Sequence, residues 1–77
     1  MRLEEFKTRY ITKIYNSAKT EREKEIADML ITKIYNLSKH NAYDLAFTLY
    51  LATKEATSEE MKRVIENALR DLQSIEW

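Results

Sequence analysis

Seventy-seven residues run without a single glycine or proline. Glycine is the usual residue where a helix ends in left-handed backbone and proline the usual residue that sets a turn; together they make up about 12% of an average chain. A chain lacking both must leave its helices and turn its corners with other residues, and a nearly all-helical fold with short loops is the architecture that manages this. The loops carry marks of their own. Thr20 with Glu23, Asn41 with Asp44 and Thr57 with Glu60 all stand at capping spacing. In such a box the first side chain accepts from the amide three residues on, and the acidic side chain reaches back to the amide of the first residue.

Hydrophobic periodicity fills in the segments between these marks. Leu3, Phe6, Tyr10, Ile14 and Ala18 recur at three- and four-residue steps, which places them on one face of a helix over residues 2–17. Between Asn16 and Glu25 only Ala18 is apolar, so a continuous helix would expose its seam for more than two turns and the chain is expected to break there. A second helix over 21–38 buries Ile26, Met29, Leu30, Ile34 and Leu37, with Ala27 and Ile31 widening the stripe. The third, over 42–55, is apolar nearly all round apart from a strip through Asp44, Thr48 and Glu55, and is expected to be the most buried. A fourth, over 59–76, aligns Met61, Val64, Ile65, Ala68, Leu69, Leu72 and Ile75. The expectation is one all-α domain over 1–77, a compact four-helix bundle or a pair of stacked helical hairpins with helix 3 central. The other account of the second apolar side of helix 3, Leu51 included, is a homodimer interface or partner groove. A monomer is expected ahead of a homodimer, with no other partner.

The hexamer Ile-Thr-Lys-Ile-Tyr-Asn occurs at 11–16 and again at 31–36, and a shift of 20 residues makes nine of the nineteen positions 2–20 identical. The repeated unit is one helix with its loop. Its two copies therefore lie on antiparallel helices, with Ile11, Ile14, Tyr15 and Ile31, Ile34, Tyr35 expected as core or boundary residues at opposite ends of a hairpin.

No arrangement of residues points to catalysis, and the chain is read as a non-enzyme with no catalytic, cofactor-binding or metal-binding residues and no cofactor. His40, the only histidine, follows Leu37 rather than a glutamate three residues back and falls in a loop, which excludes the Glu-x-x-His pairs of di-iron bundles. Ser17, Ser38, Ser58 and Ser74 stand near helix ends, where hydroxyls cap backbone groups. Thirteen basic and thirteen acidic side chains cancel. That balance, with Glu5 interrupting the stripe of Arg2, Arg9 and Lys13, argues against nucleic acid as a partner. The charges are nevertheless unevenly spread: residues 1–19 carry five basic and two acidic groups, residues 58–77 three and five, as expected of first and last helices that are neighbours. Five tyrosines, Tyr10, Tyr15, Tyr35, Tyr43 and Tyr50, are read as packing groups with wet hydroxyls. No apolar run approaches 18 residues and no signal-peptide pattern is present, so no membrane association is expected and a natural chain of this kind is expected in the cytoplasm.

Two resemblances follow from these features. The exact hexamer, the capping chemistry at each loop and the missing glycine and proline look like a computationally designed or engineered bundle assembled from helix and loop fragments. That resemblance implies a scaffold with no natural biochemical function, in which Trp77 serves as an absorbance tag or a packing group. The stretch AYDLAFTLYLATKEATSEEMKRVIENALRDL, residues 42–72, resembles the late helices of the small four-helix immunity proteins that protect bacteria from pediocin-like bacteriocins. It implies a cytoplasmic protein-interaction module, and no family site maps onto a numbered residue of this chain.

Overall fold

The computed structural model describes residues 1–77 and contains four α-helices: α1 (Leu3–Ser17), α2 (Glu21–Tyr35), α3 (Ala42–Glu55) and α4 (Glu59–Leu72), with a 3-10 turn at Lys39–Asn41 before α3. The helices form a closed ring in which α1 packs on α2 and α4, and α3 packs on the same two; the backbones of the diagonal pairs stay apart across the core. Polar contacts give the directions. Lys7 near the start of α1 donates to the Tyr35 carbonyl at the end of α2 (2.9 Å), Lys33 late in α2 meets Asp44 at the start of α3 (2.6 Å), and Lys19 beyond α1 meets Glu60 at the start of α4 (3.2 Å). Every neighbour is antiparallel, as short connections require, and the architecture is an up-down-up-down four-helix bundle.

The core runs along the bundle axis. Phe6, Tyr10 and Ile14 come from α1, Ile26, Ala27, Leu30 and Ile34 from α2, Leu45, Leu49 and Ala52 from α3, and Met61, Ile65, Ala68 and Leu72 from α4. Most of the periodic stripes expected from the sequence are these residues. Met29 of α2, expected inside, is 41% exposed, and the third helix departs further. It is not the most buried: it contributes three buried positions, fewer than any other helix, because its apolar residues divide between an inner and an outer face.

Two helix ends also differ from expectation. Helix α2 stops at Tyr35, not Ser38, since Asn36 takes up bridge-region backbone (φ −94, ψ 12) and its side-chain amide donates to the Thr32 carbonyl at 3.0 Å. Asn41 completes the stop: its amide donates to the Asn36 carbonyl (3.0 Å) while its oxygen accepts from the Ser38 N–H (2.8 Å). Asn41 thus serves the loop, and no side-chain cap of α3 forms with Asp44. Helix α4 stops at Leu72, not residue 76. The Glu76 N–H is drawn to the Met1 carbonyl (2.7 Å), so the tail lies beside the start of the chain and Ile75 is buried from the tail.

The two remaining loops are near copies of one another at the same end of the bundle. Each leaves its helix through an extended alanine, Ala18 (φ −77, ψ 123) or Ala56 (φ −67, ψ 135), and two residues later enters the next helix through an extended hydroxyl residue, Thr20 or Ser58. Thr20 accepts from the Glu23 N–H (3.1 Å) and Ser58 from the Met61 N–H (3.3 Å). The third cap is therefore Ser58, one residue beyond the expected Thr57. No residue has positive φ, which is how the bundle closes without glycine.

Glu23 ties these loops together. Its side chain is only 1% exposed, at the position of α2 that corresponds to buried Met61 of α4. One carboxylate oxygen accepts from the Lys19 N–H (2.9 Å); the other accepts from the Ser58 N–H (2.9 Å), the Thr57 N–H (3.2 Å) and the Thr57 hydroxyl (3.2 Å). No lysine or arginine pairs with it. The charge is held by backbone dipoles, at the positive ends of both α2 and α4. The Lys19 N–H first and the Ser58 N–H second bring its pKa down from 4.5 to about 2, against the opposing effect of desolvation.

A second polar link joins α1 to α4. Tyr10, 2% exposed and packed against Phe6 with ring centroids 5.0 Å apart, donates its hydroxyl to Asp71, which Arg9 also approaches at 3.5 Å. Burial first, and the hydrogen bond to Asp71 second, push the Tyr10 phenol from 10.0 up to about 12, while that same hydrogen bond is the main reason the Asp71 carboxyl is lowered. Tyr10→Phe is expected to cost about 1–3 kcal/mol in urea unfolding, since it strips a half-buried carboxylate of its best donor. The sign in alkali follows from the raised pKa. The stability held by the neutral phenol is fully present below pH 10 and falls as pH rises toward 12, so the Tyr10→Phe variant should show a shallower alkaline transition.

Candidate interaction surface

Helix α3 turns a second apolar side outward. At about 100° per residue, Tyr50, Tyr43, Lys54, Phe47 and Leu51 fall within an arc of roughly 100°, opposite the inner residues Leu45, Leu49 and Ala52. Their exposures confirm the geometry: Tyr43 is 93% exposed, Phe47 62%, Tyr50 51% and Leu51 43%. The helix forms because its residues favour it and because its inner stripe joins the core. Nothing within the chain covers the outer stripe.

The flanks of this face are set by charge and by the tail. Toward α2, Asp44 is held by Lys33 (2.6 Å) and Glu55 by Arg22 (2.7 Å), so both carboxylates bordering the stripe are already paired. Toward α4, Tyr43 and Ala46 join Ala42, Leu72, Gln73 and the half-exposed Trp77 around an open cleft of about 460 Å³. The Lys54 ammonium lies 4.9 Å from the centre of the Tyr50 ring, a cation–π contact that leaves it on the outward face. At 150–250 Å² for a whole aromatic side chain, Tyr43, Phe47, Tyr50 and Trp77 together expose roughly 400–600 Å². Patches of this size are often functional.

The other residues singled out from the sequence scatter over the bundle. His40 is exposed in the 3-10 turn. Ser17 is buried and donates to the Ile14 carbonyl (2.9 Å), Ser58 caps α4, Ser38 precedes the 3-10 turn and Ser74 lies in the tail. The basic stripe of α1 is largely engaged: Arg9 meets Glu5 and Asp71, and Lys13 stands 5.9 Å from the Tyr10 ring centre. The expected neighbourhood of the first and last helices is realised in Arg9–Asp71 and Lys19–Glu60. No group of three or more His, Cys, Asp or Glu side chains is gathered to hold a metal ion, and no helix is long and apolar enough to cross a membrane.

The repeated hexamer behaves as structure, with one correction. Ile14 and Ile34 are wholly buried and Ile11 and Ile31 half-buried, but Tyr15 and Tyr35 are 68% and 70% exposed, outside the core and its boundary. Each tyrosine directly follows the inward isoleucine and is carried about 100° round the helix, past the neighbouring helix and into solvent. The two features of greatest consequence, the burial of Glu23 and the exposure of the α3 stripe, are the least visible in the sequence. The signal for the second was the presence of two apolar stripes on opposite sides of one helix, Leu45-Leu49-Ala52 and Tyr43-Phe47-Tyr50-Leu51. The signal for the first was no more than the capping spacing from Thr20.

No family model, curated protein or solved structure matches the chain.

Proposed function

We propose that this chain is a small protein-interaction module whose working surface is the outer face of α3. The observation that carries the reading is the stripe itself: four large apolar side chains and one outward lysine on a single helix, with the bordering carboxylates already neutralised. Such a surface lowers its free energy when another apolar surface excludes water from it. The stretch that resembles bacteriocin immunity proteins includes all of α3, so an immunity-type role is one form of this reading. Protection of a sensitive bacterium on expression would support that form.

The test of the general reading is site-specific photo-crosslinking in the cell that expresses the protein. A benzophenone side chain at Phe47 is expected to give a discrete protein adduct, and the same probe at Glu66, exposed on α4, none. Absence of an adduct at Phe47, or equal smears at both positions, would overturn it.

A designed scaffold is the second reading, and the exact hexamer favours it. Both copies bury the same isoleucine and expose the same tyrosine, as a reused helix fragment would. Idealised designs, however, are built without broad exposed aromatic patches and with hydrophobic side chains in place of buried charges, and this chain has both a patch and a buried carboxylate. That contrast supports the interaction module as the working reading.

A further inference from the structure

The outer face of α3 matches itself, and we infer that its partner is a second copy of this chain, docked with the two α3 helices antiparallel across a two-fold axis. This inference rests on the interaction reading above and names its partner.

The register follows from the spacing. Tyr43, Phe47, Tyr50 and Lys54 succeed one another at steps of four, three and four, which is the d-a-d-a seam of a two-heptad coiled coil. In an antiparallel pair each a position faces a d position of the other helix. Pairing about the point midway between Thr48 and Leu49 sets Phe47 of each chain against Tyr50 of the other, twice, and Tyr43 of each chain against Lys54 of the other, twice. All four layers are chemically matched: two aromatic pairs at the centre, and at each end an ammonium over a tyrosine ring. Lys54 already makes such a contact with Tyr50 in its own chain, so its side chain is on the correct side of the helix.

The same pattern selects against the parallel arrangement. With the helices parallel, Lys54 would face Lys54 in a layer from which water is excluded, and like charges so placed repel. Antiparallel docking keeps the two ammonium groups at opposite ends. It also brings no new charge clash at the borders, because Asp44 and Glu55 are held by Lys33 and Arg22 of their own chain. An isologous contact of this kind closes on itself, so association stops at the dimer.

Area sets the strength. Tyr43, Phe47 and Tyr50 expose roughly 300–500 Å² on each face, so two faces together bring at most about 600–1,000 Å² of aromatic surface out of water, with Leu51 adding to it, at the small end of specific interfaces. The expected complex is a weak, reversible dimer that is half-formed at a concentration on the order of 100 µM.

Sedimentation equilibrium between roughly 10 µM and 1 mM should show monomer and dimer in exchange, with Phe47→Glu weakening the dimer at least tenfold. Circular dichroism of the same variant should show unchanged helicity and melting, because Phe47 is outside the core; this separates lost docking from lost folding. The register is tested by mixing chains carrying Y43C with chains carrying K54C in a protein that has no cysteine of its own. Oxidation should link Y43C to K54C in preference to either with itself, since the two Y43C sites of an antiparallel pair are separated by about 16 Å along the helix axis. A single monomeric species at the highest concentration, dimers untouched by Phe47→Glu, or preferential Y43C self-linkage would each overturn the dimer. If the protein is monomeric and the photo-probe at Phe47 still captures a different protein, the dimer fails and the interaction reading stands; if it captures nothing, both fail.

Discussion

Glu23→Ala is expected to lower stability by about 3–5 kcal/mol, close to the most that one side chain can contribute to a chain this small. Four donors, three of them backbone N–H groups in two separate loops, would lose their acceptor together. A domain of 77 residues has roughly 4–12 kcal/mol in total, so the variant should melt some 12 °C or more below the parent and open first at the loop end of the bundle. Glu23→Gln is the sharper probe. It keeps the shape but offers one acceptor oxygen where there were two and turns an NH2 group toward existing donors, which should cost about 2–3 kcal/mol.

Acid titration distinguishes the charge from the shape. The carboxylate falls from 4.5 to about 2 on folding, so its contribution, on the order of 3 kcal/mol, is fully present above pH 4.5 and is lost as pH drops toward 2. Chemical unfolding measured at intervals across that range should show stability falling with acid in the parent and a much flatter profile in Glu23→Gln. Parallel profiles would mean that another carboxylate governs acid unfolding.

The second large effect is obtained by making one substitution at two places. The chain has two phenylalanines, Phe6 with no exposed surface and Phe47 on the outer face of α3. Phe6→Ala removes a ring packed against Tyr10 at the junction of α1 with its neighbours and should cost about 3–5 kcal/mol, enough to leave part of the population unfolded at room temperature. Phe47→Ala should change the stability of dilute protein by no more than about 0.5 kcal/mol. Guanidinium denaturation of both variants at low concentration makes the comparison; equal losses would place Phe47 in the core and remove the basis for an interaction face.

Those two residues also show where sequence reading reaches its limit. Phe6 belongs to a stripe whose opposite face is polar, Glu5, Thr8 and Thr12, so its helix has one direction in which to point and burial could be anticipated. Phe47 belongs to a helix with apolar residues on both sides. Periodicity says that such a helix has two faces seeking cover, and the expectation that both lie inside the protein assumes enough neighbouring helices to cover them. In a ring of four, α3 lies beside only α2 and α4. The inner stripe, with Leu45 and Leu49, is covered, and the outer one remains in solvent. Glu23 shows the converse limit. A capping box is a local device that predicts a surface carboxylate facing its own helix end, yet two loops with matching Ala-x-Thr/Ser entry meet at one end of the bundle and enclose that carboxylate between them.

By itself the sequence determined the class of fold and most of its inner surface. The absence of glycine and proline left helices with extended-backbone loops, and the three- and four-residue steps named Phe6, Tyr10, Ile14, Leu30, Ile34, Met61, Ile65 and Ala68 as core, because helical geometry converts spacing directly into direction. Where α2 and α4 stop, which end receives Glu23 and which side of α3 meets water were decided by tertiary structure. Each depends on groups distant in the chain, the Met1 carbonyl for the tail, Thr57 and Ser58 for Glu23, and the count of neighbouring helices for α3, and local periodicity contains no record of what lies across the bundle.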